Sequence, residues 1–418
     1  YRGRFENERL SPLARAGDAW VLELFRGPTS AFKDVALSML PQLITKAREQ
    51  LGITERIVIL TATSGDTGKA ALEGFHDVPG TGIAVFYPDG GVSAVQRAQM
   101  VTQRGDNVHV TAVRGNFDDC QRGVKEAFRD VDAAEYGMRL SSANSINIGR
   151  LAPQLIYYFS AYAQLVSAGN IAVGDPVDFI VPTGNFGDIL AGLYAKLLGL
   201  PVGRLVCASN VNNVLCDFIC TGRYDARREF MRTSSPSMDI LVSSNLERLL
   251  FLASGGDTDA VSGWMSALSK DGVYEVDPAA HEHIHGWFSA GYADEGATRR
   301  TIARVWAECT YLCDPHTAVA MSVLDDYRHS ADYSGAPCVV LSTASPFKFP
   351  AVVLDAITGG AEGDEFAQME ALSELSGLPI PKNLASLRSL PELHHAVVDR
   401  GGITPAVRDI LSEEAKRA

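Results

Sequence analysis

A lysine amine held among apolar side chains can react with a carbonyl group, and Lys33 is placed for that chemistry. It follows Gly27-Pro-Thr-Ser-Ala-Phe32 and lies among Ala31, Phe32, Val35 and Ala36. Thr29 or Ser30 is expected to cap a helix, which puts Lys33 in the first turn. There the helix dipole opposes a cation and apolar surroundings favour the neutral amine, the form that Schiff-base chemistry requires. Taken alone, the same lysine also fits a solvated helix start. Two glycine turns offer anion sites: Thr63-Ser64-Gly65-Asp66-Thr67-Gly68 and Pro182-Thr183-Gly184-Asn185-Phe186-Gly187-Asp188. Each follows an apolar run and opens a helical pattern, so helix-terminal N–H groups and small hydroxyls could meet a carboxylate or phosphate. Neither is a common nucleotide loop. The first lacks a glycine five positions before Gly68 and has Ala70 where a Walker loop has Ser or Thr; the second is spaced G-x-x-G.

Two further segments are polar in unusual ways. Leu341-Ser-Thr-Ala-Ser345 ends an apolar run in hydroxyls, which can hydrogen-bond a ring nitrogen without protonating it, or merely cap a strand. Ser141-Ser-Ala-Asn-Ser-Ile-Asn-Ile-Gly-Arg150 is rich in amides and hydroxyls and ends in an arginine suited to a phosphate. Asp314-Pro-His-Thr317 reads as a helix cap. No metal site is expected. The pairs Cys216/Cys220 and Cys309/Cys313 have helical i,i+4 spacing, but no second cluster completes either, and they read as buried core thiols. His281, His283 and His285 cannot all share one helix face.

Apolar β-rich runs alternate with helical patterns. Strands are expected at 56–63, 82–87, 108–113, 177–182, 205–209 and 337–342; helices are expected from Gly68, over 93–103, over 118–128 and over 189–198. Continuous apolar strands separated by helices imply parallel sheets covered on both faces. The fold class is therefore α/β, with two doubly wound, mostly parallel sheets and a cleft between them; ligands are expected at the carboxyl ends of strands. The expected division is a large domain of residues 1–50 plus 160–418 and a smaller one of 51–159 carrying the Ser64–Gly68 loop.

The 418 residues exceed one ordinary domain. With 37 basic against 50 acidic residues the net charge is −13, which argues against a nucleic-acid partner or a polybasic membrane surface. No apolar run approaches the ~18 residues that would span a bilayer. Seven scattered cysteines suit a reducing, cytoplasmic setting better than a disulfide framework.

Two anion-binding helix starts, one activatable lysine and a hydroxyl-tipped strand together describe a pyridoxal 5'-phosphate site. From about Trp20 to Phe349 these segments resemble the threonine synthases, a pyridoxal-phosphate family of the tryptophan-synthase-β fold type (fold type II). The resemblance extends to Val92-Ser-Ala-Val-Gln96, Gly115-Asn-Phe-Asp-Asp-Cys120, Met238-Asp-Ile240, Ser243-Ser-Asn-Leu-Glu-Arg248 and Phe288-Ser-Ala-Gly-Tyr-Ala-Asp294. It implies that Lys33 carries the cofactor, that Gly184, Asn185, Phe186, Gly187 and Asp188 cradle its phosphate, and that Thr343 faces the pyridine nitrogen. It implies further that Ser64, Gly65, Asp66, Thr67 and Gly68 take the substrate carboxylate, and that Asn144, Ser145, Asn147 and Arg150 take the substrate phosphate. The implied activity is conversion of O-phospho-L-homoserine and water to L-threonine and phosphate by a monomer or homodimer. The alternatives are a phospho-lyase releasing 2-oxobutyrate and a catalytically silent relative. The chain departs from the family at Arg26 and Ser30, where His and Leu are commoner, and at Ser345 and Phe347, which replace His and Ala. Only 22 residues precede Glu23, so the N-terminal domain usual in the family is expected to be absent from this chain.

Overall fold

The computed structural model describes residues 1–417. The chain divides into two compact units, one formed by Tyr1–Glu6, Gly27–Pro153 and the residues from Gly363 onward, the other by Asn7–Arg26 and Gln154–Glu362.

The first unit is built on a five-stranded sheet, in the order Ala396–Asp399, Val108–Arg114, Thr81–Pro88, Arg56–Ala62, Met138–Ser142. Every neighbouring pair is parallel. The central strand Thr81–Pro88 is buried along its whole length, which is why its sequence runs apolar without alternation. On one face Leu37 and Leu40 of helix Lys33–Leu51 join Ala71, Leu72 and Phe75 of helix Asp66–Phe75 over Ile59, Ile83 and Val85. On the other, Ile403, Val407, Ile410 and Leu411 of helix Ile403–Arg417 pack with Cys120 and Val124 over Val58, Leu60 and Val113. Each such fully buried aliphatic side chain contributes about 1.5–3 kcal/mol relative to exposure. These contacts draw the Lys33 helix and the C-terminal stretch into the unit of residues 51–159. The expected division grouped both with the larger domain.

The second unit carries a six-stranded sheet in the order Leu13–Ala16, Ala19–Glu23, Cys338–Ser342, Val177–Pro182, Val202–Ser209, Phe288–Tyr292. It is parallel except for the hairpin of its first two strands. A separate antiparallel ribbon pairs Arg223–Asp225 with Val273–Glu275. The α/β architecture with mainly parallel sheets thus agrees with the sequence, and the expected strands recur within a few residues.

Helix starts shift by similar amounts. Helix Lys33–Leu51 has Phe32 at its N-cap with no side-chain cap. Neither Thr29 nor Ser30 caps it, because the Thr29 N–H and hydroxyl both donate to Asp34, at 2.8 and 2.6 Å. Asp314 does cap helix Pro315–Arg328, accepting from the N–H groups of His316 and Thr317. Two cysteines also depart from expectation: Cys220 is exposed and Cys309 half-buried, whereas the others lie in the interior.

Candidate active site

The two glycine turns and the Asn144–Arg150 segment each sit where a parallel strand gives way to a helix, the place at which open α/β sheets bind ligands. In the first unit, Lys33 opens its helix and is mostly buried. Its Nζ lies 3.9 Å from Asp66 Oδ2 and 4.4 Å from the centre of the Phe32 ring. Apolar neighbours are therefore only part of its surroundings, because the turn after strand Arg56–Ala62 brings a carboxylate to the amine. Asp66 is itself buried at the start of helix Asp66–Phe75, where the helix dipole favours negative charge. Gln96 donates to its other oxygen at 2.9 Å.

The geometry of this turn explains its residue types. Thr63 Oγ1 accepts from Gly65 N at 2.9 Å and Gly68 N at 2.8 Å, so the loop winds about one hydroxyl. Gly65 has φ +136° and ψ −87°, a region open only to glycine. A Cβ there would stand 2.5 Å from the Gln96 amide. Two of the N–H groups expected to meet a substrate carboxylate thus already serve Thr63, and the half-buried Ser64 and Thr67 remain to meet an anion.

The Asn144–Arg150 segment leaves the next strand, Met138–Ser142, which pairs with Arg56–Ala62. Asn144 Nδ2 donates to Ala62 O at 2.9 Å and so ties this segment to the root of the Thr63–Gly68 loop. Asn147 caps the short helix Ile148–Leu151 through Gly149 N and donates to Ser142 O. Arg150 is buried and donates to Ala143 O. Asn147 and Arg150 thus hold the segment's own backbone, while Asn144 ties it to the neighbouring strand. Ser145 stands half-buried between them.

In the second unit, strand Val177–Pro182 turns through Thr183–Phe186 into helix Gly187–Leu197. The N-cap, Phe186, sits in the left-handed region at φ +61° and gives the helix no side-chain cap. A bulky residue takes this conformation only when its surroundings hold it there. Phe186 is fully buried with its ring 5.4 Å from that of Phe288. The turn is held from outside by residues for which the sequence reading assigned no role. Ser243 Oγ donates to Gly184 O and Ser244 Oγ to Asn185 Oδ1, both at 3.0 Å, while Asn245 donates through N and Nδ2 to Asn185 O. Their signal in the sequence is the Ser243-Ser-Asn245 run, three small polar residues in a row. Asp188 Oδ1 accepts from Ile189 N, and its carbonyl accepts from the Tyr158 hydroxyl of helix Leu155–Ser167.

Gly184 faces a backbone. A Cβ on it would lie 2.5 Å from Ser237 O. That neighbouring turn, Pro236–Met238, is anchored on both sides. Asp239 accepts from Asn210, Asn212 and Thr233; burial pushes its carboxyl up, and the hydrogen bonds from Thr233 and Asn210 oppose this. His316 Nε2 accepts from Ser237 N at 3.3 Å, so Nδ1 carries the proton and donates to Asp314 Oδ1 at 2.7 Å. Asp314 also takes the hydroxyl of Thr317, which meets Ser342 at 2.9 Å. Thr343 follows, buried at the carboxyl end of strand Cys338–Ser342, which pairs with Val177–Pro182.

His281 and His283 are engaged elsewhere, on the carbonyls of Ile219 and Ala253 respectively. Among the described residues no helix is long and apolar enough to cross a membrane.

An uncapped helix start behind a glycine turn suits a phosphate, and a buried lysine suits an aldehyde; these residues fit pyridoxal phosphate. Residues 6–344 match the pyridoxal-phosphate dependent enzyme family. The chain belongs to that class, and pyridoxal phosphate is its cofactor. Residues 317–398 match the threonine synthase C-terminal family. A Pseudomonas aeruginosa threonine synthase is 41% identical over 94% of this chain and 81% of its own length. Human threonine synthase-like 1 is 38% identical over 96% of this chain, which spans 53% of that protein, about half its length. The crystal structure of pyridoxal-phosphate-bound threonine synthase from Brucella melitensis superposes with a TM-score of 0.86 and 39% identity, covering 100% of this chain and 82% of that one. Within the pyridoxal-phosphate enzymes, the chain belongs to the threonine synthase family.

Proposed function

We propose that this chain converts O-phospho-L-homoserine and water to L-threonine and phosphate. In this reading Lys33 carries the cofactor, the Gly184–Asp188 turn and the helix start behind it hold its phosphate, and Thr343 faces the ring nitrogen. When bound, the cofactor supplies an electron sink that makes the substrate's α- and β-protons removable. Lys33 Nζ moves those protons one at a time: it takes the α-proton and hands it on, then takes a β-proton and delivers it to Cγ once phosphate has left. Water then adds as hydroxyl at Cβ, its second proton passing to the departed phosphate, and Lys33 returns a proton to Cα. Asp66, 3.9 Å from the amine, stabilises its charged form after each abstraction and yields it again as the proton is returned. Ser64 and Thr67 with the adjoining helix start hold the substrate carboxylate. Ser145 meets the substrate phosphate, on a loop shaped by Asn144, Asn147 and Arg150.

The observation that carries this reading is the meeting of a buried lysine with a carboxylate held on a glycine turn, in a chain of this family. All seven cysteines are unpaired, which supports a reducing, cytoplasmic location. The test is incubation of the holoprotein with O-phospho-L-homoserine and quantification of both amino-acid and keto-acid products. Threonine in excess is expected. Predominant 2-oxobutyrate, or no phosphate release, overturns the assignment.

A further inference from the structure

The backbone that leads to Lys33 is strained three residues before it. Ser30 has φ +60°, a left-handed conformation that a serine adopts only when something holds it. The turn around it is gripped residue by residue. On one side Gln99, buried on helix Ala94–Val101, donates to Thr29 O at 3.3 Å. Asp34 takes both the N–H and the hydroxyl of Thr29. On the other side stands Asn383, more than 350 residues along the chain. Its Nδ2 donates to Pro28 O at 2.9 Å and lies 3.0 Å from Ser30 Oγ, which is 3.2 Å from Asn383 Oδ1. The short helix Lys382–Ala385 that presents Asn383 is seated by the fully buried Leu384.

We propose that Asn383 is a positioning residue for Lys33. By closing on Pro28 O and the Ser30 hydroxyl together it selects the left-handed turn, and that turn sets where the first residue of helix Lys33–Leu51 presents its amine. The C-terminal stretch thereby takes part in aiming the reactive lysine without touching the reacting atoms. The inference rests on the reading of Lys33 as the cofactor lysine.

A glycine occupies positive φ at no steric cost, and this gives the test its logic. If Asn383 acts by holding Ser30 left-handed, Ser30→Gly removes the need for it. Apoprotein variants are mixed with pyridoxal phosphate, and the rate of capture is followed by absorbance and by borohydride fixation mapped to the modified peptide. Asn383→Ala and Ser30→Ala are each expected to slow capture at Lys33 about tenfold, the scale of one left-handed residue's conformational preference. Together they should be no worse than either alone, because both remove one interaction. Ser30→Gly, alone or with Asn383→Ala, should capture within about twofold of the unmodified chain, since glycine needs no clamp at this φ. An Asn383→Ala protein that captures normally, or whose defect Ser30→Gly does not relieve, overturns the proposal. If Asn383→Ala fails to fold, the comparison of Ser30→Ala with Ser30→Gly decides, because equal rates for those two also overturn it. Fixation of the cofactor at a lysine other than Lys33 in the unmodified protein would instead defeat the functional reading itself.

Discussion

Replacing Gly65 by alanine tests the architecture of the loop that carries Asp66. Alanine must first adopt φ +136° and ψ −87°, a backbone cost of about 1–3 kcal/mol. Its Cβ would then stand 2.5 Å from the Gln96 amide carbon and nitrogen. Gln96 has room to yield only by giving up its bond to Asp66 at 2.9 Å and its contact with Ser93 N at 3.4 Å. A buried hydrogen bond to a charged group is worth about 1.5–3 kcal/mol. The two contributions together predict a loss of about 2.5–6 kcal/mol in urea unfolding, with an unchanged denaturant slope. Gln96→Ala removes the obstacle and the bond beforehand, so adding Gly65→Ala to that background should cost only the backbone strain, about 1–3 kcal/mol. The double variant should therefore be more stable than the sum of the singles predicts, by at least about 1 kcal/mol. A Gly65→Ala loss below about 1 kcal/mol, or one that is the same in both backgrounds, would refute the reasoning.

His316→Ala should leave helical circular dichroism intact yet weaken pyridoxal phosphate binding about tenfold in a fluorescence titration, because Ser237 loses its acceptor and the turn behind Gly184 slackens. His316→Gln, whose amide oxygen can take the Ser237 N–H, should recover much of the affinity; equal loss in both variants counts against the account. Exposed Cys220 has its thiol pulled down to about 7, chiefly by a hydrogen bond from Cys216 against the opposing effect of burial. Alkylation requires the thiolate, so its rate at Cys220 should rise with pH through a midpoint near that value, and Cys216→Ala should move the midpoint upward; an unmoved midpoint shows that the bond is not the cause.

The fold was legible because its signals are local. Strand Thr81–Pro88 is buried along its whole length, and its sequence shows this as an unbroken apolar run. The glycine turns were visible for the same reason, since backbone that needs glycine or a helix start writes its demand into a few adjacent residues. What stayed hidden is what depends on distant partners. Nothing near Lys33 announces that Asp66 approaches it to 3.9 Å, that Asn383 grips the turn before it, or that Phe186 is forced left-handed against Phe288. The edge strand Ala396–Asp399 was missed too. It is largely exposed and only four residues long, and it gains its place by pairing with Val108–Arg114, a preference set by context. The turn before Lys33 misled in the opposite sense. Thr29 and Ser30 are good capping residues by type, yet Asp34 and Asn383 claim their hydroxyls.

The position of Asp66 resolves an apparent conflict within the proposed function. A loop meant to receive a carboxylate should not present one, for two like charges 4 Å apart repel by about 4 kcal/mol at the effective dielectric of a partly buried site. The structure avoids this by orientation. Asp66 opens helix Asp66–Phe75, but its carboxylate is turned between Gln96 Nε2 and Lys33 Nζ, while Thr63 draws in the Gly65 and Gly68 N–H groups behind it. The negative charge thus belongs to the amine's side of the turn, and Ser64 and Thr67 are left half-buried on the loop. In the proposed function, one six-residue turn supplies both a counter-charge for the proton-carrying lysine and a polar rim for an anionic substrate. Gln96 fixes the orientation of Asp66, because its amide holds Asp66 Oδ1 at 2.9 Å and fills the space that a side chain on Gly65 would need.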